Sequence, residues 1–373
     1  MRITDLETPA VLVDERRVGR NLSRMQAEAS ARGIRLRPHA KTHKSIVMAR
    51  RQMAAGAVGI CCAKLGEAEV FADAGIPDIR LPYPIHPVNA ARVVALLDRT
   101  RLSFIVDHQE VAAGWSSAMR QAGREVDVLV KVDVGFHRCG IDPTTEDAAA
   151  GVARIARLPG LRFRGLLSHA GQGYGASSES DAAGIARSEA ATLRVLADRV
   201  RTLAVAVEEI SVGATPTARY SLREDGITEM RPGNYIYFDR TQVALGAATW
   251  DECALTVLAR VVARPASDRV IFDCGSKTLT NDAARGFQPM PGFGAVLKDI
   301  DGTEPDDTLL VERLSEEHAT VRVRGVSALR PGDLVRVVPN HSCVVSNLVD
   351  AVWLVNGREV VERVEVSARG RIT

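Results

Sequence analysis

Short apolar segments with strand character alternate with longer amphipathic stretches through the first two thirds of the chain. This alternation restricts the fold more than any other feature. Strand candidates begin near Arg35, Val58, Ile79, Leu102, Val126, Phe163, Glu209 and Thr228. Helical patterns lie between them, most clearly over residues 45–55, 66–74, 88–97, 110–122, 148–156 and 185–205. Strand–helix alternation at this spacing means parallel strands joined by crossover helices. Eight such units in about 220 residues suit a (β/α)8 barrel of the TIM type. A doubly wound open sheet is the competitor, but no GxGxxG opens the first unit.

The texture changes near residue 240. Short strand-like runs follow at residues 255–262, 269–273, 319–323, 334–338, 351–355 and 359–366, with turn signals such as Arg330-Pro-Gly-Asp333 and Asn356-Gly357 between them. The expected architecture is an α/β barrel over residues 15–240 and an all-β domain over residues 241–373. Residues 1–14 carry one further strand, at 10–13, before a helix at 18–31. The barrel count is complete without that strand, so it is expected to join the β domain.

Lys41 lies in the run Arg37-Pro-His-Ala-Lys-Thr-His-Lys44, just after the strand candidate at Arg35. A strand-end position in a barrel of this kind is where chemistry is placed. Arg37, Lys44, His39 and His43 are expected to crowd Lys41 and favour its neutral amine. A neutral lysine can form a Schiff base with an aldehyde such as pyridoxal phosphate. Arg138 follows a strong apolar strand, in Val132-Asp-Val-Gly-Phe-His-Arg-Cys-Gly140. Facing a pyridine nitrogen, a permanently charged guanidinium would keep that nitrogen unprotonated. His169 ends the next strand, and Tyr174 sits in a loop with Gly171, Gly173 and Gly175 that could close over a ligand. Ser211-Val-Gly-Ala-Thr-Pro-Thr217 and Arg231-Pro-Gly-Asn-Tyr235 end the seventh and eighth strands. Small residues and free amides there suit a phosphate nest, with Thr215, Gly233, Asn234 and Tyr235 as donors.

In Pro339-Asn-His-Ser-Cys343, an extended backbone would point His341 and Cys343 to one side. Imidazole and thiolate are good zinc ligands, and two protein ligands leave positions open for catalysis. Asp273-Cys-Gly-Ser-Lys277 and Ser315-Glu-Glu-His318 are further polar clusters, read as supporting groups or ordinary turns.

Together these motifs resemble the D-threonine aldolase and D-serine dehydratase family, and the likeness runs nearly the full length. The resemblance implies a fold-type III, alanine-racemase-like barrel with a C-terminal β domain and pyridoxal 5'-phosphate on Lys41. It places Arg138 at the pyridine nitrogen, and Thr215, Gly233, Asn234 and Tyr235 around the phosphate. It puts His169 near the substrate's β-hydroxyl and a divalent metal on His341 and Cys343. Thiolate favours zinc over manganese or magnesium. A homodimer with shared sites is implied as well. The aldolase branch carries His-x-Asp at the metal pair and the dehydratases His-x-Cys, so Cys343 points to dehydration. Val344 stands where many relatives have proline. The expected substrate is a β-hydroxy-D-amino acid, with retro-aldol cleavage as the alternative reaction. Racemisation needs a second base and no metal. A non-catalytic pyridoxal phosphate carrier would lack the β domain.

Composition excludes other classes. Lys and Arg total 48 against 46 Asp and Glu, a net charge of +2, which gives no electrostatic case for nucleic acid or an anionic membrane. No apolar run of about 18 residues occurs. The start, MRITDLETPA, has no signal core, so the cytoplasm is expected. Six cysteines without a CxxC pair fit neither a disulfide scaffold nor a four-cysteine zinc site.

Overall fold

The computed structural model describes residues 1–373. Strand β1 (Ala10–Asp14) runs into a helix, Glu15–Ser30, whose first turn is capped by Asp14 accepting from the Arg17 amide. Eight parallel strands follow: β2 (Arg35–Leu36), β3 (Ile60–Cys61), β4 (Asp78–Pro84), β5 (Arg101–Val106), β6 (Val126–Lys131), β7 (Leu161–Leu167), β8 (Glu209–Val212) and β9 (Glu229–Met230). Their order is β2-β9-β8-β7-β6-β5-β4-β3. A bridge between His39 and Cys61, with the Cys61 amide 2.7 Å from the Pro38 carbonyl, closes the ends into a barrel. The barrel expected from the alternation is therefore observed.

The inside of this barrel is ionic as well as apolar. Arg80 on β4 reaches Glu209 on β8 and Glu229 on β9, strands that are not its neighbours in the sheet. Such pairs can meet only across the interior. Glu229, with no exposed surface, also accepts from Arg37 Nε at 2.9 Å and Ser211 Oγ at 2.6 Å. Ile105, Leu129 and Leu167 form a separate apolar group on β5, β6 and β7. Gly165 permits the close β7–β8 pairing: its φ is +153°, and a Cβ there would lie 1.9 Å from the Glu209 carbonyl oxygen.

The second layer is a nine-stranded sheet ordered β11-β14-β13-β12-β15-β10-β1-β16-β17. Its strands are β10 (Leu255–Ala266), β11 (Arg269–Phe272), β12 (Ala295–Leu297), β13 (Pro305–Leu314), β14 (Ala319–Val323), β15 (Leu334–Val338), β16 (Ala351–Asn356) and β17 (Glu359–Glu365). β1 lies in this sheet, antiparallel to β10 and parallel to β16. Two strands escaped the sequence reading, β12 and β13. β13, PDDTLLVERL, shows no clean alternation and buries only Leu309 and Val311. Its backbone pairing with β14 makes it a strand. No helix is long and apolar enough to cross a membrane.

Glu229 yields a stability test. Burial alone would raise its carboxyl, but Arg80 and Arg37 outweigh burial and hold it at about 2, below the ordinary 4.5. A depressed folded value contributes stability that is complete above the unfolded value and is lost as pH falls through the folded one. Glu229→Gln should cost about 3–5 kcal/mol at neutral pH, because two buried guanidinium groups each lose one of their two carboxylate partners. Urea unfolding should show that deficit shrinking between pH 5 and pH 2.

Candidate active site

The C-terminal ends of the barrel strands and the edge of the β domain enclose a cavity of about 420 Å³. Lys41, Arg138, His169, Tyr174, Thr215, Gly233, Asn234, His341 and Cys343 all line it, although the first and last are 302 positions apart in sequence.

Lys41 sits in a one-turn 3-10 helix, Ala40–Thr42, after β2, and its amide donates to His39 Nδ1 at 3.3 Å. The cationic crowding expected around it is not what the structure shows. Arg37 turns into the barrel to Glu229 and Asp78, and Lys44 Nζ pairs with Glu67 at 3.2 Å. Burial, helped by the charges of Lys41 and Arg231, keeps His39 neutral. Burial pushes His43 down to about 4, and its ring is taken up by Gln52 and the Ser45 amide. Two of the four neighbours are thus ion-paired and two uncharged. The cations that do share the cavity come from other strands, among them Arg138 and Lys131.

Arg138 lies over the Phe136 ring at 5.2 Å, and Phe136 packs edge-on to His169 at 5.7 Å. The loop carrying both is held by Asp133, whose carboxylate accepts the amides of Gly135, Phe136 and His137. His169 Nδ1 lies 2.6 Å from the Gly213 carbonyl, so Nδ1 carries the proton and Nε2 is left as an acceptor. Burial and the nearby charge of Lys41 keep the ring neutral.

Thr215 Oγ1 is buried, lines the cavity and has no partner in the protein. An orphaned donor beside the open turns at Gly213 and Gly233 is what a phosphate oxygen would satisfy. These residues and an unpaired Lys41 fit a phosphorylated aldehyde. Two expected donors sit differently. The Asn234 side-chain amide is already used by Asp239 at 2.6 Å and Ser342 at 3.2 Å, leaving its backbone amide for an anion. The Tyr235 ring is buried behind the wall, and its hydroxyl accepts from Gln52 at 3.3 Å. Tyr235 does not line the cavity.

The segment after β15 is not extended as expected. Ser342–Leu348 is a helix, and His341 is its cap residue. Its β-branched sequence gives little local reason for a helix. The cause lies in the barrel: Asp239 accepts the Ser342 amide at 2.9 Å and caps the turn from outside. His341 and Cys343 still meet. Burial alone would raise the Cys343 thiol, but the hydrogen bond and charge of His341 outweigh burial and hold it below its ordinary value. Burial likewise opposes the His341 charge, yet Cys343 raises it to about 10. The two side chains are hydrogen-bonded and each shifts the other toward its charged form, a donor set that a soft divalent ion would take over by displacing the shared proton. His341 Nδ1 lies 2.7 Å from Asp282 Oδ2, which turns the other ring nitrogen to Cys343. Thr42 at 3.2 Å and Asn234 at 3.5 Å reach the sulfur from the barrel side.

Residues 13–241 match the family model for the alanine racemase N-terminal domain, and residues 254–355 match that for a putative serine dehydratase domain. The chain is 36% identical to D-threonine aldolase of Arthrobacter sp, over 98% of this chain and 93% of that protein. The chain belongs to the D-threonine aldolase and D-serine dehydratase family. It is an enzyme of the lyase class, and the family's alanine-racemase-like fold implies pyridoxal phosphate. D-threo-3-hydroxyaspartate dehydratase of Delftia sp. (strain HT23) is 33% identical, over 91% of each chain. Its solved structure superimposes with a TM-score of 0.91, covering 98% of both. Solved variants of a D-threo-3-hydroxyaspartate dehydratase replace a histidine, and a cysteine two positions further on, by alanine. The cysteine variant is in the metal-free form.

Several cavity residues gave no signal in the sequence. Lys131 ends β6 almost fully buried, where desolvation and the charge of Arg231 push its ammonium down to about 7. Asp239 and Gln242 come from the cap and first turn of a short helix, Arg240–Ala244, and Asp282 and Arg285 from an irregular segment, with no motif around any of them. The Asp273 and Ser315 clusters do not line this cavity. They bond to each other through Ser276–Ser315 and Lys277–Glu316 main-chain contacts and are structural turns.

Asp282→Asn should weaken zinc binding by about 10- to 100-fold while leaving pyridoxal phosphate binding unchanged. Zinc titration against a competing chelator reads the first, and equilibrium dialysis reads the second.

Proposed function

We propose that the chain is a pyridoxal phosphate- and divalent metal-dependent lyase that dehydrates and deaminates β-hydroxy-D-amino acids, of the D-serine or D-threo-3-hydroxyaspartate type, to a 2-oxo acid and ammonia. The observation that carries this reading is Cys343 beside His341 on the cavity wall, joined through Thr42 to the turn that holds Lys41. The His-then-Cys spacing of the dehydratase variants supports it.

The cofactor supplies, when bound, an electron sink for charge developing at Cα. Its holders are Lys41 at the aldehyde, Thr215 with the amides of Gly233 and Asn234 at the phosphate, and Arg138 at the ring nitrogen. His341 and Cys343 hold the metal, which supplies a Lewis acid for the β-hydroxyl. Zinc suits the thiolate best. Lys41 takes the Cα proton. Phe136 and the Gly213 carbonyl fix the His169 ring, so that Nε2 can accept a hydrogen bond from the β-hydroxyl and orient it, and the departing hydroxide takes up a proton and is released as water. Tyr174 and its glycine loop narrow the mouth and exclude water.

Retro-aldol cleavage is the second reading, and one observation favours it. A neutral His169 with Nε2 unprotonated is suited to removing the β-hydroxyl proton, the step that starts cleavage to glycine and an aldehyde.

Product identification separates the two. With pyridoxal phosphate, zinc and D-threonine, dehydration gives 2-oxobutanoate and ammonia, whereas glycine and acetaldehyde would establish the aldolase instead. Chelation followed by dialysis should abolish turnover, with zinc restoring it. Cys343→Ala should resist that restoration. Full activity of the chelated Cys343→Ala protein would remove the metal from the mechanism.

A further inference from the structure

The lining of the cavity carries more positive charge than the proposed reaction uses. Lys41, Lys131, Arg138, Arg231 and Arg285 face it, against only two carboxylates, Asp239 and Asp282. Both carboxylates are occupied. Asp239 accepts from Asn234, Ser342 and the Gln242 amide, and Asp282 pairs with His341. Arg231 is spent on Ser211 and the Ser168 carbonyl below the site. The cofactor phosphate and the α-carboxylate of an amino acid bring two anions. Arg285 is left over: its guanidinium makes no ion pair and no hydrogen bond, and only its main-chain amide is held, by Thr241 Oγ1 at 3.3 Å.

A second polar group stands beside it. Gln242 has no exposed surface and lines the same cavity, and the Tyr174 hydroxyl is the one polar side-chain group against its amide. Tyr174, whose hydroxyl lies against Gln242, also feels the charge of Arg285, so the three are neighbours. Position gives their role. Arg285 is three residues after Asp282, the carboxylate that orients His341, and Gln242 is three after Asp239, which caps the His341 helix. Both therefore stand at the metal end of the cavity, where the β-carbon of a substrate lies if its hydroxyl meets His341 and Cys343.

We infer that Arg285 and Gln242 form a subsite for a carboxylate on the β-carbon, so that the preferred substrate is a β-hydroxy-D-amino acid with two carboxylates. This rests on the lyase reading above. A guanidinium fork and an amide donor match a carboxylate in charge and geometry. A methyl group or hydrogen in the same place would forgo both contacts, and that loss is the source of discrimination. Arg285 and Gln242 are specificity residues in this scheme and take no part in proton transfer.

The test compares 3-hydroxy-D-aspartate with D-threonine on the zinc- and pyridoxal phosphate-loaded enzyme, and separately titrates succinate and butyrate into it. The two acids are four-carbon probes that differ by the second carboxylate and cannot react. Succinate should bind more tightly than butyrate, read from the cofactor absorbance. Arg285→Ala should lower kcat/KM for 3-hydroxy-D-aspartate by roughly 10- to 100-fold, mainly through KM, and leave D-threonine within about twofold. Arg285→Lys should restore part of the loss, and zinc content should stay unchanged in both variants. Equal binding of succinate and butyrate, or an equal loss on both substrates, would overturn the subsite while leaving the lyase reading intact. Absence of turnover on either substrate, with Arg285-dependent succinate binding retained, would overturn the lyase reading and keep the dicarboxylate subsite.

Discussion

The carboxylate of Glu229 ties the barrel together beneath the site. It is buried without exposed surface and is held by Arg37, Arg80 and Ser211, which belong to three other parts of the barrel. Ser211 passes the link upward to Arg231 at 2.7 Å, and Arg231 reaches the Ser168 carbonyl. The residues that follow these anchors are the ones at the cavity: His169 after Ser168, Gly213 shortly after Ser211, and Gly233 shortly after Arg231. Hydrogen bonds are directional and strand side chains alternate, so a one-residue slip of β8 or β9 would turn Ser211 or Glu229 out of this chain of contacts. The polar interior thereby sets the height and register of three strand ends at once, which an apolar filling would specify less sharply.

A second buried carboxylate, Asp239, joins the two layers. It accepts the Asn234 side chain from the barrel and the Ser342 amide from the β domain. Burial raises its carboxyl above the ordinary range, opposed by the charge of His341 and by those hydrogen bonds. Ser346 Oγ adds a bond to the Thr42 carbonyl, and Cys343 meets Thr42 directly. The His341–Cys343 pair and the Lys41 turn are therefore fixed to each other by short polar contacts, although they lie on different layers. That rigidity suits a site whose reaction depends on which bond at Cα is broken, because small rotations of the substrate decide between elimination and cleavage.

The electrostatics of the cavity follow from where charges are neutralised. Arg37 and Lys44, adjacent to Lys41 in sequence, are compensated by Glu229, Asp78 and Glu67 outside the cavity. His39, His43 and His169 are kept neutral, with burial the largest cause in each. The cations that remain, Lys131, Arg138 and Arg285, arrive from distant segments and give the cavity its preference for anions.

Much of this was legible in one dimension. Apolar period and spacing are local properties, so the eight barrel strands and several β-domain strands followed from the order of residues. β14 and β15 lie at the bounds read from the sequence. The run around Lys41 and the spacing of His341 and Cys343 could be recognised for the same reason, as short motifs are written in consecutive residues. What the sequence could not express was anything set by a partner far along the chain. β13 is a strand through its pairing with β14, the Ser342 helix begins on a cap from Asp239, and Asn234 is spent on Asp239 and Ser342. The ion pairs that remove Arg37 and Lys44 from the surroundings of Lys41, and the unpaired Arg285 beside Gln242, likewise exist only once the layers close. Local pattern determined which elements form and where chemistry sits. Long-range desolvation and hydrogen bonding, which depend on all three dimensions, decided which charges and donors remain free to act.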